Sequence, residues 1–316
     1  MSAIRTERLS KSFGDVAAVR NLTLSVKEGE LFGLVGPDGA GKTTTMRLLS
    51  AILDATSGDA WVAGHHIARE AEEIKKHIAY VGQRFGLYPD LTVVENLHFY
   101  ADLYGVPRRE RAARMERLLA FSNLAPFIHR QAGNLSGGMK QKLSLACALI
   151  HTPKVLLLDE PTSGVDPLSR HELWRILYDL IREKVTIFVS TSYLDEAERF
   201  HRVALMHRGE LLACGTPREL KALLRGTILE LRPTQPRQAA SLLRQQFPGF
   251  SVNLFGNRVH LLTDDPDRDT RIATAALRKS GMDVAEPRSI EPNLEDVFLS
   301  LLAPEKLAGE IRIEAQ

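Results

Sequence analysis

The stretch GPDGAGKTT, Gly36 to Thr44, is the part of the sequence from which the fold can be inferred. It follows an apolar run, Leu31 to Val35, and leads into Met46, Leu48 and Leu49. Glycines allow backbone N–H groups to turn inward around an anion, and the helix that follows points its positive end at the same anion. Between a strand and a helix, this pattern predicts a phosphate-binding loop; a chance glycine-rich turn is the alternative.

The loop also predicts individual roles. Lys42 is expected to bridge the β- and γ-phosphate oxygens of a nucleotide, and the Thr43 hydroxyl is expected to hold Mg²⁺. The predicted nucleotide-binding residues are Gly36, Pro37, Asp38, Gly39, Ala40, Gly41, Lys42, Thr43 and Thr44.

Composition limits the class of protein. The chain has 316 residues, 44% of them apolar and 25% charged, which is enough for one large domain and a smaller one. A net charge of +2 argues against nucleic acid as the partner. Cys147 and Cys214 lack metal-ligand spacing and indicate a reducing cytosol and inert thiols. No apolar run approaches the roughly 18 to 20 residues of a membrane span.

Secondary-structure signals change along the chain. Strands are predicted before the phosphate loop, and a helical insertion is predicted at about 84–151. Within it, Thr92 followed by Glu95 predicts a capping box, and a second helix is predicted at roughly Arg108 to Phe121. The run VLLLD, Val155 to Asp159, is typical of a strand buried on both faces of a parallel sheet. With a helix at Glu172 to Arg182 and a strand at Thr186 to Ser190, it predicts a strand-helix-strand crossover unit. His65 and His66 are interpreted as a solvated turn pair.

The composition shifts after Gly226. We predict a first domain at 1–226, an accessory domain at 227–302 and a tail at 303–316. The order strand, helix, strand, strand, helix, strand from Thr227 onward predicts a small α+β domain of ferredoxin-like type. A final helix, Leu294 to Leu302, is expected to pack back on one of the domains.

Two acidic residues end the VLLLD strand. Ligands bind at the carboxyl ends of parallel strands, so Asp159 is expected to hold Mg²⁺ through water. Glu160 is expected to polarise an attacking water, because phosphoryl transfer needs a group aimed at the nucleophile.

The segment LSGGMKQ indicates a second anion-binding helix terminus. Ser136 is predicted to cap a helix whose first N–H groups, at Gly137 and Gly138, are not shielded by side chains. One γ-phosphate rarely needs two such termini in one chain, unless the second serves a nucleotide bound to another chain. The residues assigned to this contact in trans are Leu135, Ser136, Gly137, Gly138 and Gln141.

These strings together resemble the nucleotide-binding subunits of ATP-binding cassette (ABC) transporters, over residues 4 to about 222. The resemblance implies a P-loop NTPase of the ABC cassette type, with a RecA-like core, an antiparallel β-subdomain and a helical subdomain. It implies that Phe13 stacks on adenine, that Gln83 contacts Mg²⁺ and the attacking water, and that Asp166 communicates between subunits. By position alone, Phe13 could equally be a core aromatic and Gln83 a polar loop residue.

The resemblance further implies a head-to-tail dimer enclosing two ATP molecules with Mg²⁺. GTPREL at Gly215 to Leu220 and PNLEDVFL at Pro292 to Leu299 resemble subunits of ABC-2-type exporters, and other strings resemble the first cassette of tandem-cassette multidrug exporters of the YbhF type. The sequence has one cassette, so the partner cassette is expected to be a separate polypeptide, either a second copy of this chain or a different chain.

Ser192 departs from the family pattern. Most cassettes have histidine at this place in the string STSYLDEAE, Ser190 to Glu198, where it contacts the γ-phosphate. A serine hydroxyl is shorter and cannot become cationic. We therefore expect Ser192 to take part in catalysis but to slow hydrolysis.

The function implied is an ATP-hydrolysing subunit of an ABC-2-type exporter of drugs or other amphipathic substrates, with transmembrane permease subunits as partners. It is expected at the cytoplasmic face of the membrane, with Arg84 to Tyr104, including Tyr88, Pro89 and Asp90, as the docking surface. Two alternatives remain: a regulatory nucleotide-binding cassette with little turnover because of Ser192, and a soluble ABC ATPase in translation or chromosome maintenance. The latter usually have a second cassette or a long coiled coil in the same chain.

Overall fold

Short strands and helices alternate along the first two thirds of the chain. The structure, a computed structural model, describes residues 2–302 except Phe85, Arg225 and Gly249, so the predicted tail at 303–316 lies outside the described residues. The elements in this part are β1 (Ser2–Phe13), β2 (Val16–Lys27), β3 (Leu31–Val35), α1 (Lys42–Leu49), β4 (Ser57–Val62), β5 (His65–His66), α2 (Ala71–His77), β6 (Ile78–Val81), α3 (Val93–Leu103), α4 (Arg108–Phe121), α5 (Gly137–Leu149), β7 (Val155–Asp159), α6 (Pro167–Arg182), β8 (Thr186–Thr191), β9 (Arg202–His207) and β10 (Glu210–Gly215).

The central sheet has the strand order β10-β9-β3-β8-β7-β6. Strands β9, β3, β8, β7 and β6 run parallel, with Leu31 opposite Ile187 and Val155 opposite Thr186. Every residue of β7 is buried, which confirms the prediction of a strand covered on both faces. The β7-α6-β8 crossover is also confirmed. The parallel strands therefore bring their carboxyl ends to one edge of the sheet, where the phosphate loop begins.

A second sheet, with the order β2-β1-β4-β5, is antiparallel. The side chains of Leu22, Leu24 and Val26 on β2 are buried, as their alternation predicts. The interpretation of a solvated histidine pair is wrong for His66. This residue lies in β5, is buried, and places Nε2 at 2.9 Å from Asp59 Oδ1.

The helical insertion contains α3, α4 and α5. Thr92 and Glu95 form the predicted capping box at the start of α3, and Ser136 caps α5. Two helices differ from the prediction made from the sequence. Helix α2 was not predicted, and α6 begins at Pro167 rather than Glu172, because Asp166 caps it and proline is well suited to a first helical turn.

The last third of the chain contains α7 (Pro217–Lys221), β11 (Thr227–Leu231), α8 (Pro236–Gln246), β12 (Val252–Phe255), β13 (Arg258–Thr263), α9 (Pro266–Lys279), β14 (Arg288–Ile290) and α10 (Leu294–Leu302). Its antiparallel sheet has the order β12-β13-β11-β14. Leu231 and Leu243 belong to a core between this sheet and helices α8 and α9. The predicted order of strands and helices is observed, while the assignment to the ferredoxin-like class stays a prediction.

Two compact units divide the chain, one ending at Cys214 and the other beginning at Gly215. This division lies before the predicted boundary at Gly226. Helix α7 contacts α10, which explains why it groups with the second unit. Within the described residues, no helix combines the length and the apolar character that crossing a membrane requires.

Candidate phosphate-binding and catalytic site

The phosphate loop joins the end of β3 to the start of α1. Gly39 and Gly41 have positive φ angles of 77° and 103°, which side chains rarely tolerate. A Cβ atom on Gly36 would lie 2.1 Å from the carbonyl oxygen of Met206, so the loop also needs glycine for a close backbone approach. At Gly39, in contrast, a Cβ would meet no atom within 4 Å. A Cβ on Gly41 would likewise lie 2.3 Å from the Ala18 oxygen, so the loop is packed against the protein at both ends and open near its middle, as an anion-binding loop requires.

Lys42 lies inside this loop with only 4% of its side chain exposed. Its Nζ donates to the carbonyl oxygens of Gly36 at 2.8 Å and Pro37 at 3.1 Å. It also forms an ion pair with Glu160 Oε1 at 3.1 Å. The cation predicted to bind phosphate and the carboxylate predicted to act on water are thus in direct contact.

Asp159 is buried beside the first turn of α1. Its Oδ1 accepts hydrogen bonds from the hydroxyls of Ser190 at 2.6 Å and Thr43 at 3.2 Å, and its Oδ2 accepts one from Tyr80 at 3.3 Å. Burial raises the pKa of Tyr80, and the Asp159 charge raises it further, so the phenol stays protonated and remains a donor.

Glu160 follows Asp159 with a positive φ of 51°. Its N–H points at Ser190, whose carbonyl oxygen and hydroxyl oxygen both lie at 3.1 Å. A non-glycine residue in this conformation is strained and must be held by its surroundings. Ser190 supplies that constraint, and the Glu160 side chain reaches Lys42.

The oxygen ligands around Thr43 fit a Mg²⁺ ion. Mg²⁺ prefers oxygen ligands and is usually bound by one or two protein groups together with phosphates and water. The Thr43 hydroxyl and the Asp159 carboxylate, which are hydrogen-bonded to each other, are such groups. Gln83 is exposed, and no side-chain hydrogen bond within the described ranges joins it to either residue.

Phe13 ends β1 and has 50% of its surface exposed, which argues against a place in the core. The ammonium group of Lys11 lies 5.2 Å from the centre of its ring. Of the other residues predicted in the phosphate loop, Asp38 is exposed, Ala40 is buried, and Thr44 is half-buried. The roles of Phe13 and Gln83 in nucleotide binding stay predictions.

The LSGGMKQ segment forms the start of α5. Ser136 Oγ accepts a hydrogen bond from the N–H of Met139 at 3.3 Å, while Leu135 and Gln141 are buried. The two glycines differ in their surroundings. A Cβ on Gly138 would lie 2.1 Å from Ser169 Oγ, whereas at Gly137 the nearest atom would be the Gly164 oxygen at 3.8 Å. A side chain would therefore fit at Gly137 but not at Gly138.

Asp166 caps α6 and accepts a hydrogen bond from the N–H of Ser169 at 3.0 Å. This backbone hydrogen bond lowers the pKa of the exposed Asp166 carboxyl. A Cβ on Gly138 would lie 3.3 Å from Asp166 Oδ2, so the start of α6 packs against the start of α5. The predicted contact between subunits stays a prediction.

Sequence reasoning missed several residues around the site. Ser190 holds both Asp159 and Glu160, and Thr191 accepts from the Gly36 N–H with its carbonyl oxygen at 3.2 Å. Both lie at the carboxyl end of β8, which neighbours β7 in the sheet. The signal was present, because polar residues at this edge of a parallel sheet face the ligand site. Tyr80 lies near the same edge, one residue before the end of β6.

Comparison with known proteins agrees with this geometry. A family model described as "ABC transporter" matches residues 19–163. The "Nod factor export ATP-binding protein I" of Rhizobium etli is 35% identical over 307 residues, covering 96% of this chain and 95% of that protein. The chain belongs to the family of ABC transporter ATP-binding proteins. The resemblance inferred from the sequence motifs and the cassette fold are thereby confirmed.

Another relative is longer than this chain. The "Probable multidrug ABC transporter ATP-binding protein YbhF" of Escherichia coli is 44% identical over 292 residues, which cover 91% of this chain but 50% of the relative. The chain thus spans about half the length of this relative. Among solved structures, the dimeric post-hydrolysis state of the cassette MJ0796 bound to ADP and Pi gives a TM-score of 0.62 at 26% identity, covering 67% of this chain and 98% of the other.

Proposed function

We propose that the chain binds and hydrolyses ATP to power an ABC-2-type exporter of drugs or other amphipathic substrates. The observation that supports this most is the convergence of Lys42, Thr43, Asp159 and Glu160 at one edge of the sheet. The relatives named above are described as multidrug and Nod factor export ATP-binding proteins. Direct contacts between the phosphate-binding and catalytic groups favour hydrolysis over simple binding.

Each group has a role that its position allows. Lys42 binds the β- and γ-phosphates, exchanging its contacts with loop carbonyls and Glu160 for phosphate oxygens. Glu160, released from Lys42, accepts a proton from the attacking water. Thr43 and Asp159 hold Mg²⁺, which when bound neutralises charge on the phosphates, and Gln83 contacts it and the water. Phe13 stacks on adenine, and Ser192 donates a hydrogen bond to the γ-phosphate.

The second half of each site is proposed to come from another cassette. The start of α5, with Ser136 and Gly137 exposed, offers N–H groups to an anion that its own chain does not supply. A head-to-tail dimer would place this terminus, and Asp166 nearby, at the ATP bound by the partner's phosphate loop. The dimeric state of the MJ0796 cassette supports this arrangement by analogy. The second cassette is either the same chain or a different one.

The proposed partners in the membrane are ABC-2-type permease subunits, which the chain would meet at the cytoplasmic face. The docking surface is the segment from Arg84 to Tyr104. In it, Tyr88 is 45% exposed and packs on Phe99 with ring centres 4.4 Å apart. Asn96 fixes the Tyr88 backbone through two hydrogen bonds of 2.9 and 3.0 Å, so this aromatic surface is held in place rather than free to move.

The test compares the wild-type chain with Glu160→Gln. A lost general base should lower kcat by about 10²- to 10⁴-fold while ATP still binds. The variant should then accumulate as an ATP-bound dimer in size-exclusion chromatography. A wild-type chain that neither binds nor hydrolyses Mg-ATP would contradict the proposal, as would a Glu160→Gln variant with undiminished turnover.

A second candidate function, a regulatory cassette with little turnover, is favoured by Ser192. The Ser192 side chain makes no hydrogen bond within the part of the chain that the structure describes, so nothing there extends its short hydroxyl toward a phosphate. Under this alternative the wild-type chain binds ATP and dimerises, but single-turnover hydrolysis is no faster than in Glu160→Gln.

A further inference from the structure

Glu196 lies close to the site, within the string STSYLDEAE but with no role assigned to it so far. Its side chain is 1% exposed, although glutamate is seldom buried without partners. It follows residues 192–195, here called the Ser192 loop, and it directly precedes the short helical segment Ala197–Arg199. A carboxylate here needs a reason, because an apolar side chain could fill the same buried position without the cost of burying a polar group.

One carboxylate oxygen joins two loops of the site. Oε2 of Glu196 accepts hydrogen bonds from the hydroxyls of Thr162 at 3.0 Å and Thr191 at 2.9 Å. Both threonines are fully buried. Thr162 is two residues after Glu160, and Thr191 is one residue before Ser192. The same oxygen thus holds the segment that follows the general base and the strand end that precedes the proposed γ-phosphate contact.

The other oxygen faces helix α6. Oε1 lies 3.8 Å from Nε of Arg170, and both atoms are buried without a hydrogen-bond partner. The Arg170 guanidinium in turn lies over the ring of Tyr193, at 5.0 Å from its centre. Arg170 is in the first turns of the helix that Asp166 caps. Through Arg170, Glu196 therefore also connects α6, the helix that Asp166 caps, to the Ser192 loop.

Burial raises the pKa of Glu196, and the two threonine hydroxyls and Arg170 oppose that shift. A buried carboxylate in such a setting is costly unless its partners stay in place. The arrangement consequently holds these loops in one geometry: moving any of them removes a partner from a buried charge. Thr191 extends the connection to the phosphate loop, because its carbonyl oxygen accepts from the Gly36 N–H.

We propose that Glu196 is a positioning residue for ATP hydrolysis, which fixes the Glu160 segment, the Ser192 loop and the start of α6 relative to one another. This inference rests on the proposed ATPase function. It assigns no contact between Glu196 and the nucleotide. Its removal should therefore slow the chemical step and leave the binding of ATP to the isolated chain unchanged.

The experiment uses the full chain as wild type, Glu196→Ala, Glu196→Gln and the control Asp195→Asn, an exposed carboxylate one residue earlier. We measure kcat and KM for Mg-ATP, the affinity for a fluorescent ATP analogue, and the thermal midpoint. Glu196→Ala should lower kcat on the order of 10²-fold, the effect of a small misplacement of reacting groups. KM and analogue affinity should stay within about twofold, since ground-state contacts are kept.

Glu196→Gln should recover most of the loss, to within about tenfold of wild-type kcat, because its amide oxygen can still accept from both threonines. Rescue by glutamine separates positioning from a general loss of stability. A Glu196→Ala chain with wild-type kcat overturns the inference. So does a kcat that falls only in proportion to the fraction of chains able to bind the analogue.

Should Glu196→Ala fail to fold, Thr162→Val decides, because among the described residues the Thr162 hydroxyl makes one hydrogen bond, the one to Glu196, and valine has nearly the same shape. It should lower kcat by about tenfold at unchanged analogue affinity, the effect of one hydrogen bond that holds the transition-state geometry. An unchanged kcat overturns the inference. If the wild-type chain neither binds nor hydrolyses ATP, both this inference and the proposed function are wrong. If the wild-type chain hydrolyses ATP and the variants have the same kcat, only this inference is wrong.

Discussion

The two helix N-termini that the sequence predicts to bind anions differ in what surrounds them. At the start of α1, Lys42 contacts the partly buried carboxylate of Glu160 and Thr43 contacts the buried carboxylate of Asp159, both at the carboxyl end of β7. At the start of α5, Gly137 is exposed, and no ion pair among the described residues includes any of residues 135–141. The first terminus has its own catalytic groups, and the second offers only backbone N–H groups and a cap.

A helix N-terminus alone therefore does not define a site. The positive end of a helix dipole attracts any anion, but chemistry needs charged groups placed around it. The α1 terminus has them within one chain. The α5 terminus lacks such charged groups, which is consistent with the proposal that it contacts a nucleotide bound by another cassette.

The largest effect is expected from Lys42→Ala. The change removes a buried cation aimed at the phosphates, and one charge-assisted hydrogen bond contributes about 1.5–3 kcal/mol, so affinity for a fluorescent ATP analogue should fall about 10- to 100-fold. Lys75→Ala, which removes an exposed lysine paired with Glu72, is the matched control and should bind as wild type. An unchanged dissociation constant for Lys42→Ala would contradict the assignment of this segment as a phosphate-binding loop.

The next test separates the two adjacent glycines of α5. In Gly138→Ala the new methyl group would collide with Ser169, and overpacking of this kind costs about 1–3 kcal/mol in the free energy of unfolding. Gly137→Ala has room for the methyl group and should keep wild-type stability, measured by urea denaturation.

Gly137→Ala should still lower ATP hydrolysis, because its methyl group stands where the partner's phosphates are proposed to approach, while the affinity of the monomer for the analogue should not change. Equal loss of stability in both variants, or normal hydrolysis by Gly137→Ala, would contradict the contrast between the two glycines.

Ser192→His tests whether the α1 site is limited by its departure from the family pattern. An imidazole can reach farther and become cationic, and one added charge-assisted hydrogen bond in the transition state would raise kcat by about tenfold. Affinity for ATP should stay the same. Ser192→Ala, which removes the hydroxyl, is the control and should not gain activity. A kcat for Ser192→His at or below wild type, alone and with any co-purifying cassette, would show that serine is not limiting.

The smallest effect concerns the other end of α5, where His151 follows the helix. Its Nε2 lies 2.9 Å from the Ile78 carbonyl oxygen, and its ring stacks on Tyr104 at 3.9 Å. Burial lowers the pKa of His151 from its ordinary value of 6.5, and the nearby Arg114 adds to that effect, whereas the contact with Ile78 opposes it. The unfolded chain therefore binds the proton more readily than the folded one.

It follows that the free energy of unfolding should decrease as the pH falls through about 6.5. His151→Phe keeps an aromatic ring but cannot titrate, so its stability should fall less between pH 8 and pH 5.5 in urea denaturation. Parallel pH profiles for both chains would mean that His151 is not protonated preferentially in the unfolded state.

Sequence alone determined the features whose causes are local. The capping box at Thr92 and Glu95, the α4 boundaries at Arg108 and Phe121, and the buried β7 strand all depend on residues a few positions apart. The phosphate loop could be predicted for the same reason, since its glycines, Lys42 and Thr43 lie on one turn. The position of Asp159 and Glu160 at the end of the VLLLD strand, together with the phosphate loop upstream, was enough to predict that they lie near a nucleotide.

Which of these residues contact one another depends on how distant segments fold together. The Lys42–Glu160 pair, the hydroxyls of Ser190 and Tyr80 on Asp159, and the burial of Glu196 join residues that are distant in sequence. The same holds for Gly138, whose flank is occupied by Ser169 from the next helix. A local pattern states what a residue can do, but its partner is fixed by strand order and packing, which arise only when distant segments are brought together.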